Sequence, residues 1–227
     1  MQLFYCPDIL HNEFFLSPEE SKHCVRVLRK NAGDTIHIID GQGTFYDASL
    51  IDVSSAKCTF DIINSAHQDR PAHYTHIAVA PTKNTDRTEW FVEKAIEIGI
   101  DEITFLGTKH SERTRINLDR IHKKAVSAIK QSMRPYLPKI HDIEKLDNFL
   151  KRDFRGQKFV AHLDEKSPAY LGTKATKSEN YLVLVGPEGG FSAWEIELMH
   201  NYGFESVKLG DHRLRTETAG VVACTVL

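Results

Sequence analysis

The hydrophobic period of the chain changes near residue 70. Before that point short apolar-rich runs, several alternating with period two, fall at Leu3-Phe4-Tyr5, Thr35 to Ile39, Thr44 to Ile51 and Lys57 to Ile63, and they predict β-strands. Asp40-Gly41-Gln42-Gly43 lies between two of these runs and reads as a hairpin turn, since a dinucleotide loop would open a helix. One helix interrupts the strands: Ser17 is placed as its N-cap, Pro18 in its first turn and Glu19 and Glu20 beside them, and it ends on Arg26, Arg29 and Lys30. This half reads as a small barrel or sandwich.

Asn64 to His73 is polar and contains Pro71, which predicts a linker and a division into residues 1–70 and 71–227. Beyond it strands and helices alternate. Strands are expected at 75–80, 102–106, 158–162, 181–185 and 206–209, with helices at 85–99, 118–133, 143–150, 192–202 and from Thr216 onward. That order implies a parallel α/β sheet, whose ligands sit at the carboxyl ends of strands. Leu182 to Val185 reads as a strand buried on both faces, and it stops abruptly at Gly186-Pro187-Glu188-Gly189-Gly190. Four of those five residues are conformationally special, so something must approach the backbone closely. The next strand ends similarly, in Leu209-Gly210-Asp211-His212-Arg213-Leu214-Arg215-Thr216-Glu217-Thr218-Ala219. Because their strands are consecutive, the two loops are expected to be neighbours at one sheet edge. The helix start at Thr216 offers free amides to a carboxylate.

Composition narrows the class. The 227 residues are 41% hydrophobic, enough for one large core or two modest ones. There is no apolar run long enough for a membrane span and no basic-then-apolar start, so a cytoplasmic protein without membrane association is expected. Cys6, Cys24, Cys58 and Cys224 are scattered and read as reduced core residues, and neither they nor the twelve histidines show metal-binding spacing, so no metal is expected. The net charge of −2 hides a segment, Lys109 to Lys139, with nine basic residues against Glu112 and Asp119. Two readings stay open for it, a solvated helix face and a surface that tracks phosphates. His110, His122 and His141 fall in or beside it; Trp90 and Phe91 read as helix core rather than as a base-stacking platform.

The usual phosphate-binding glycine motifs are missing. Gly186-Pro-Glu-Gly-Gly-Phe-Ser192 with Glu195, followed by Leu209-Gly-x-x-Arg-Leu-Arg-Thr-Glu-Thr-Ala219, closely resembles the RsmE-type 16S ribosomal RNA uridine N3 methyltransferases of the SPOUT superfamily. His23-Cys-Val-Arg26-Val-Leu-Arg29, Glu93-Lys-Ala-Ile-Glu-Ile-Gly99 and Gln131-Ser-x-Arg134-x-x-x-Pro138 extend the likeness over nearly the whole chain, with Ile96 standing where members carry Thr.

The resemblance implies a PUA-like β-barrel RNA-binding domain at 1–70 and a trefoil-knotted SPOUT methyltransferase domain at 71–227. It implies S-adenosylmethionine as cofactor, enclosed by Leu163, Gly186, Glu188, Gly190, Leu209, Gly210, Leu214, Arg215, Thr216 and Ala219. It also implies a homodimer acting on 16S ribosomal RNA or the small ribosomal subunit. For the chemistry, Arg215 is expected to stabilise an imide anion, and Glu217 or Glu188 to act as base or to orient the loops. For Glu217 the competing reading is a first-turn acid on a helix dipole, for Glu188 an exposed turn residue, and for Arg215 a structural ion pair. Arg26, Arg29, Lys30, Arg113, Arg115 and Arg134 are the candidates for gripping RNA phosphates. Two rivals remain: a noncatalytic RNA-binding module, and a methyltransferase of the same superfamily with another target.

Overall fold

The computed structural model describes residues 2–11, 13–162, 169–177 and 179–227. The chain divides into two compact units, Met1–Arg70 with Val126–Leu137, and Pro71–Ala125 with Pro138–Leu227. The second segment of the first unit contains the last residues of a helix that begins in the other.

In the first unit, β1 (Leu3–Tyr5), β2 (Thr35–Ile39), β3 (Thr44–Val53) and β4 (Cys58–His67) form a sheet in sequence order. β1 runs parallel to β2, and the other two pairings are antiparallel. The Asp40 to Gly43 stretch is the expected hairpin turn, and Asp40 holds it by accepting from the Gln42 and Thr44 amides. Helix α1 (Pro18–Arg26) is capped by Ser17, whose hydroxyl accepts from Glu20 N at 3.2 Å. Phe4, Leu16, Cys24, Ile36, Ile38, Leu50, Cys58 and Phe60 form the core. β4 continues to His67, so the first four residues of the expected linker, Asn64 to His67, are strand; they are exposed and mostly polar, which left no hydrophobic signal to mark them.

The second unit carries a six-stranded parallel sheet among its described residues, in the order β10 (Glu205–Val207), β8 (Gln157–Ala161), β9 (Tyr181–Val185), β5 (Thr75–Val79), β6 (Glu102–Gly107), β7 (Lys139–Lys145). β5 and β9 are buried throughout, as central parallel strands must be when both faces are covered. The connecting helices are α2 (Thr85–Ile98), α3 (Leu118–Ser132), the single turns α4 (Leu146–Phe149) and α5 (Leu171–Lys174), α6 (Ala193–Asn201) and α7 (Thr216–Val226). Asn84 caps α2 and Gly99 ends it at φ 123, while Ser192 and Glu195 form a reciprocal capping box on α6. Leu106, Phe149, Val160, Leu182, Leu184, Phe191, Met199 and Phe204 make one core cluster.

Three expectations change here. The helix expected at 143–150 is strand β7 followed by one turn, and a register shift opposite Thr104/Phe105 at Asp142 breaks the alternation that would have marked the strand. β9 and β10 are not neighbours, because β8 inserts between them. Trp90 is 43% exposed, whereas Phe91 is core as expected. The four cysteines are free and buried.

Candidate functional site: a glycine-walled pocket at the strand ends

A cavity of about 710 Å³ opens where β8, β9 and β10 end, within the size range of small-molecule sites. One wall is the continuous stretch from Val185 to Phe191, another runs from Val207 to Gly210 and from His212 to Thr216, and Ala161, His162, Arg87 and Ala219 complete it. Both unusual loops therefore meet in one cavity although their strands are separated. The register accounts for this: Val185, Ala161 and Val207 lie side by side at the ends of β9, β8 and β10, so the two loops leave the sheet at one level on either side of β8.

Each loop is held by specific bonds. Gly190 sits at φ +71 and its amide returns to Pro187 O at 2.8 Å, closing a tight turn that a side chain would strain. Thr216 Oγ1 donates to Gly186 O at 2.9 Å and ties the start of α7 to the end of β9. Arg213 Nη2 donates to Glu188 O at 2.6 Å, a second tie between the same loops. No side chain caps α7 at Arg215, so its first-turn amides remain available to an anionic group. Gly210 has nothing within 4 Å of where a Cβ would stand, so its missing side chain is room for a ligand.

The expected binding residues fall together. Gly186, Glu188, Gly190, Leu209, Gly210, Leu214, Arg215, Thr216 and Ala219 all line the cavity; Leu163 lies outside the described residues. The expected catalytic groups differ in their surroundings. Arg215 is exposed on the cavity wall. Glu188 is also on the wall, with Oε1 accepting from Lys83 N at 3.1 Å. Glu217 lies behind it: its side chain is 8% exposed, it faces Arg87 Nε from 3.6 Å through Oε1, and Oε2 has no hydrogen-bond partner among the described residues. Sequence reasoning missed Arg87, His162, Lys208 and Arg213 as lining residues. Lys208 stacks over Tyr170 and pairs with Asp211 at 3.0 Å, and the Tyr170 hydroxyl and then that ammonium hold the Asp211 carboxyl below its usual range.

Part of the basic segment is committed to ion pairs. Arg120 pairs with Glu89 at 2.5 Å, Lys124 with Glu93 at 3.1 Å and Lys130 with Glu20 at 2.6 Å. Arg113 donates to the carbonyls of Thr82 and Lys83 at 3.2 and 2.6 Å, so much of its donor capacity serves the loop after β5. Arg115 is exposed. In the first unit Arg26 and Arg29 are exposed and Lys30 donates to Thr35 O, with Arg134 half-buried in the same unit. Among the described residues no group of three or more His, Cys, Asp or Glu is arranged to hold a metal ion, and no helix is long and apolar enough to cross a membrane.

A family model described as an RNA methyltransferase domain matches residues 69–227, well over half the chain. The chain belongs to this RNA methyltransferase family. A second model, an RNA methyltransferase PUA domain, matches residues 16–63 and so covers much of the first sheet of the methyltransferase. Among curated relatives, the ribosomal RNA small subunit methyltransferase E of Buchnera aphidicola subsp. Acyrthosiphon pisum is 29% identical, over 97% of this chain and 89% of its own. A probable rRNA-methyltransferase from Porphyromonas gingivalis is 38% identical and superposes with a TM-score of 0.92, over 99% of this chain and 95% of that one. The ribosomal RNA small subunit methyltransferase E of Neisseria gonorrhoeae, solved bound to S-adenosyl methionine, is 26% identical with a TM-score of 0.84, over 99% and 95% of the two chains.

Proposed function

We propose that this RNA methyltransferase transfers the methyl group of S-adenosylmethionine to N3 of one uridine in 16S ribosomal RNA, as a cytoplasmic homodimer acting on the small ribosomal subunit. The observation that carries the reading is the cavity whose walls are the two signature loops. Its chemistry fits the cofactor. Leu209, Leu214 and Ala219 offer apolar contact and open loop backbone offers hydrogen bonds to a base, while the uncapped start of α7 suits a carboxylate. The path of the chain through the cavity-forming loops is proposed to be the trefoil knot of SPOUT enzymes. Residues 1–70 serve as the PUA-like RNA-binding domain and 71–227 as the methyltransferase domain.

When bound, S-adenosylmethionine supplies an electrophilic methyl group on a sulfonium. N3 of uridine is a weak imide acid and becomes a nucleophile only as its proton leaves. Arg215, on the cavity wall, is assigned to stabilise the negative charge that then develops on the imide. Glu188 is the carboxylate on the wall and the candidate base, whereas Glu217, behind the wall, orients the loops. Glu188 would take the N3 proton while Arg215 meets the charge left on the imide, and the bound cofactor would supply the methyl group that replaces that proton on N3. Since a stacked base hides N3, the target is presented unstacked or flipped. Arg26, Arg29, Lys30, Arg115 and Arg134 are assigned to RNA phosphates, with Arg113 contributing only what its loop bonds leave free.

Labelled methyl transfer from S-adenosylmethionine to small subunits from cells lacking the enzyme, followed by nucleoside analysis, tests the reading. N3-methyluridine is expected. Label in another nucleoside would overturn the target, and label absent from all ribosomal RNA despite cofactor binding would overturn the substrate.

A further inference from the structure

Arg87 is a strongly basic group on the cavity wall that comes from neither signature loop. It stands in the first turn of α2, its side chain is 40% exposed, and its Nε faces Glu217 Oε1 from 3.6 Å. Glu217 is an unusual partner. Its carboxylate is more than nine-tenths buried and Oε2 has no hydrogen-bond partner among the described residues, although a buried carboxylate oxygen is costly to leave unpaired. Placed behind Arg87 and off the main cavity wall, it is positioned to hold the guanidinium, whose two Nη groups then remain for a ligand.

The charge around the cavity indicates which ligand. Among the described residues, Arg87, Lys208, Arg213 and Arg215 line it against one carboxylate, Glu188, and Asp211 pairs with Lys208. Three guanidinium groups thus line a cavity assigned to a cofactor that carries a sulfonium, an ammonium and one carboxylate, and the α7 amides already suit that carboxylate. Surplus positive charge beside a cation is unfavourable unless a polyanion enters with it. We infer that Arg87, held by Glu217, binds an RNA phosphodiester next to the target nucleotide, with Glu217 as its positioning residue. The planar guanidinium suits phosphate in a way lysine does not. This inference rests on the reading of the protein as a ribosomal RNA methyltransferase.

The test compares wild type, Arg87→Gln, Arg87→Lys and Glu217→Gln for three quantities. These are the S-adenosylmethionine Kd by calorimetry, the affinity for small ribosomal subunits as a function of salt, and the KM and kcat for methyl transfer. Arg87→Gln is expected to leave the cofactor Kd within about twofold, to raise the KM for subunits about tenfold, and to lower the salt slope of binding by about one. Arg87→Lys should recover the slope and only part of the affinity. Glu217→Gln should raise the KM in the same direction by a smaller factor, without changing the slope. An unchanged subunit affinity and slope in Arg87→Gln would overturn the inference, as would a weakened cofactor Kd, which would place Arg87 on the methionine carboxylate. Because affinity and slope are read by binding alone, a wild type that binds subunits without methylating them would count against the reaction assigned above and leave this test standing.

Discussion

Gly220 lies in the middle of α7 where the helix crosses α2, and a Cβ added there would stand 2.4 Å from Phe91 Cε2 and 2.7 Å from Cδ2. Carbon atoms in favourable contact sit about 3.5–4.0 Å apart, so ring or helix must yield by roughly 1 Å or more. Phe91 is 1% exposed and cannot swing into solvent. Overpacking of this kind costs about 1–3 kcal/mol, and a rigid ring held between two helices argues for the upper end. Alanine regains about 1 kcal/mol over glycine in a helix interior. Gly220→Ala should therefore destabilise the protein by about 2 kcal/mol, lowering Tm by roughly 4–8 °C for a chain of this size. Urea denaturation and a thermal melt measure it. Phe91→Leu in the same chain should make the double variant less unstable than the two single losses added together, since the ring that clashes is then smaller. A Gly220→Ala protein that melts at or above the wild-type temperature would refute the close crossing of α7 over α2.

Three further outcomes follow from the site and the sheet. Thr216→Val removes the hydroxyl that donates to Gly186 O, which should cost about 1–2 kcal/mol and weaken cofactor binding severalfold by calorimetry; an unchanged Kd would mean that the tie does not shape the pocket. Arg215→Ala should lower kcat about 10²–10³-fold with little change in melting temperature, and normal turnover would remove Arg215 from the chemistry. Burial pushes the His76 imidazole down to about 4, so the native protein keeps it neutral where the unfolded chain takes up a proton below about 6.5. Its contribution is full above that pH and is lost as pH falls toward 4, by up to about 3 kcal/mol; urea midpoints between pH 7 and 4 should fall less steeply in His76→Gln, and equal slopes would refute the assignment.

The two loops were legible because glycine and proline cluster only where backbone is tightly constrained, and an apolar strand leading into Gly186 leaves few alternatives. That both loops reach one cavity was legible too, but by the wrong route: adjacency in sequence suggested adjacent strands, while the crossovers place β8 between them. β7 was hidden by the extra residue at Asp142, which shifts Ile140 and Ile143 out of strict alternation and mimics helical spacing. The far part of β4 was hidden for the opposite reason, since it pairs along its backbone while exposing its side chains. The Arg87 and Glu217 pairing had no signal at all. The residues are far apart in sequence, one reads as an ordinary first-turn arginine, and only folding shows that a carboxylate is buried behind it. In the basic stretch from Lys109 to Lys139, the acidic partners of Arg120, Lys124 and Lys130, which are Glu89, Glu93 and Glu20, lie outside the window that was counted.

The bond from Thr216 to Gly186 also sets an order of events during synthesis. When β9 has left the ribosome the centre of the sheet can form, yet the segment from Leu209 to Ala219 that closes the cavity is still to come. Docking of α7 and occupancy of the cavity are then linked equilibria: a ligand present at 100 times its Kd adds about 2.7 kcal/mol to the docked state. Undocked α7 exposes Ala223 and Cys224, which are otherwise buried, and offers proteases a loose helix. The cellular level of the cofactor would then govern how long each molecule survives as well as how fast it works, and starvation for the methyl donor would thin the enzyme population.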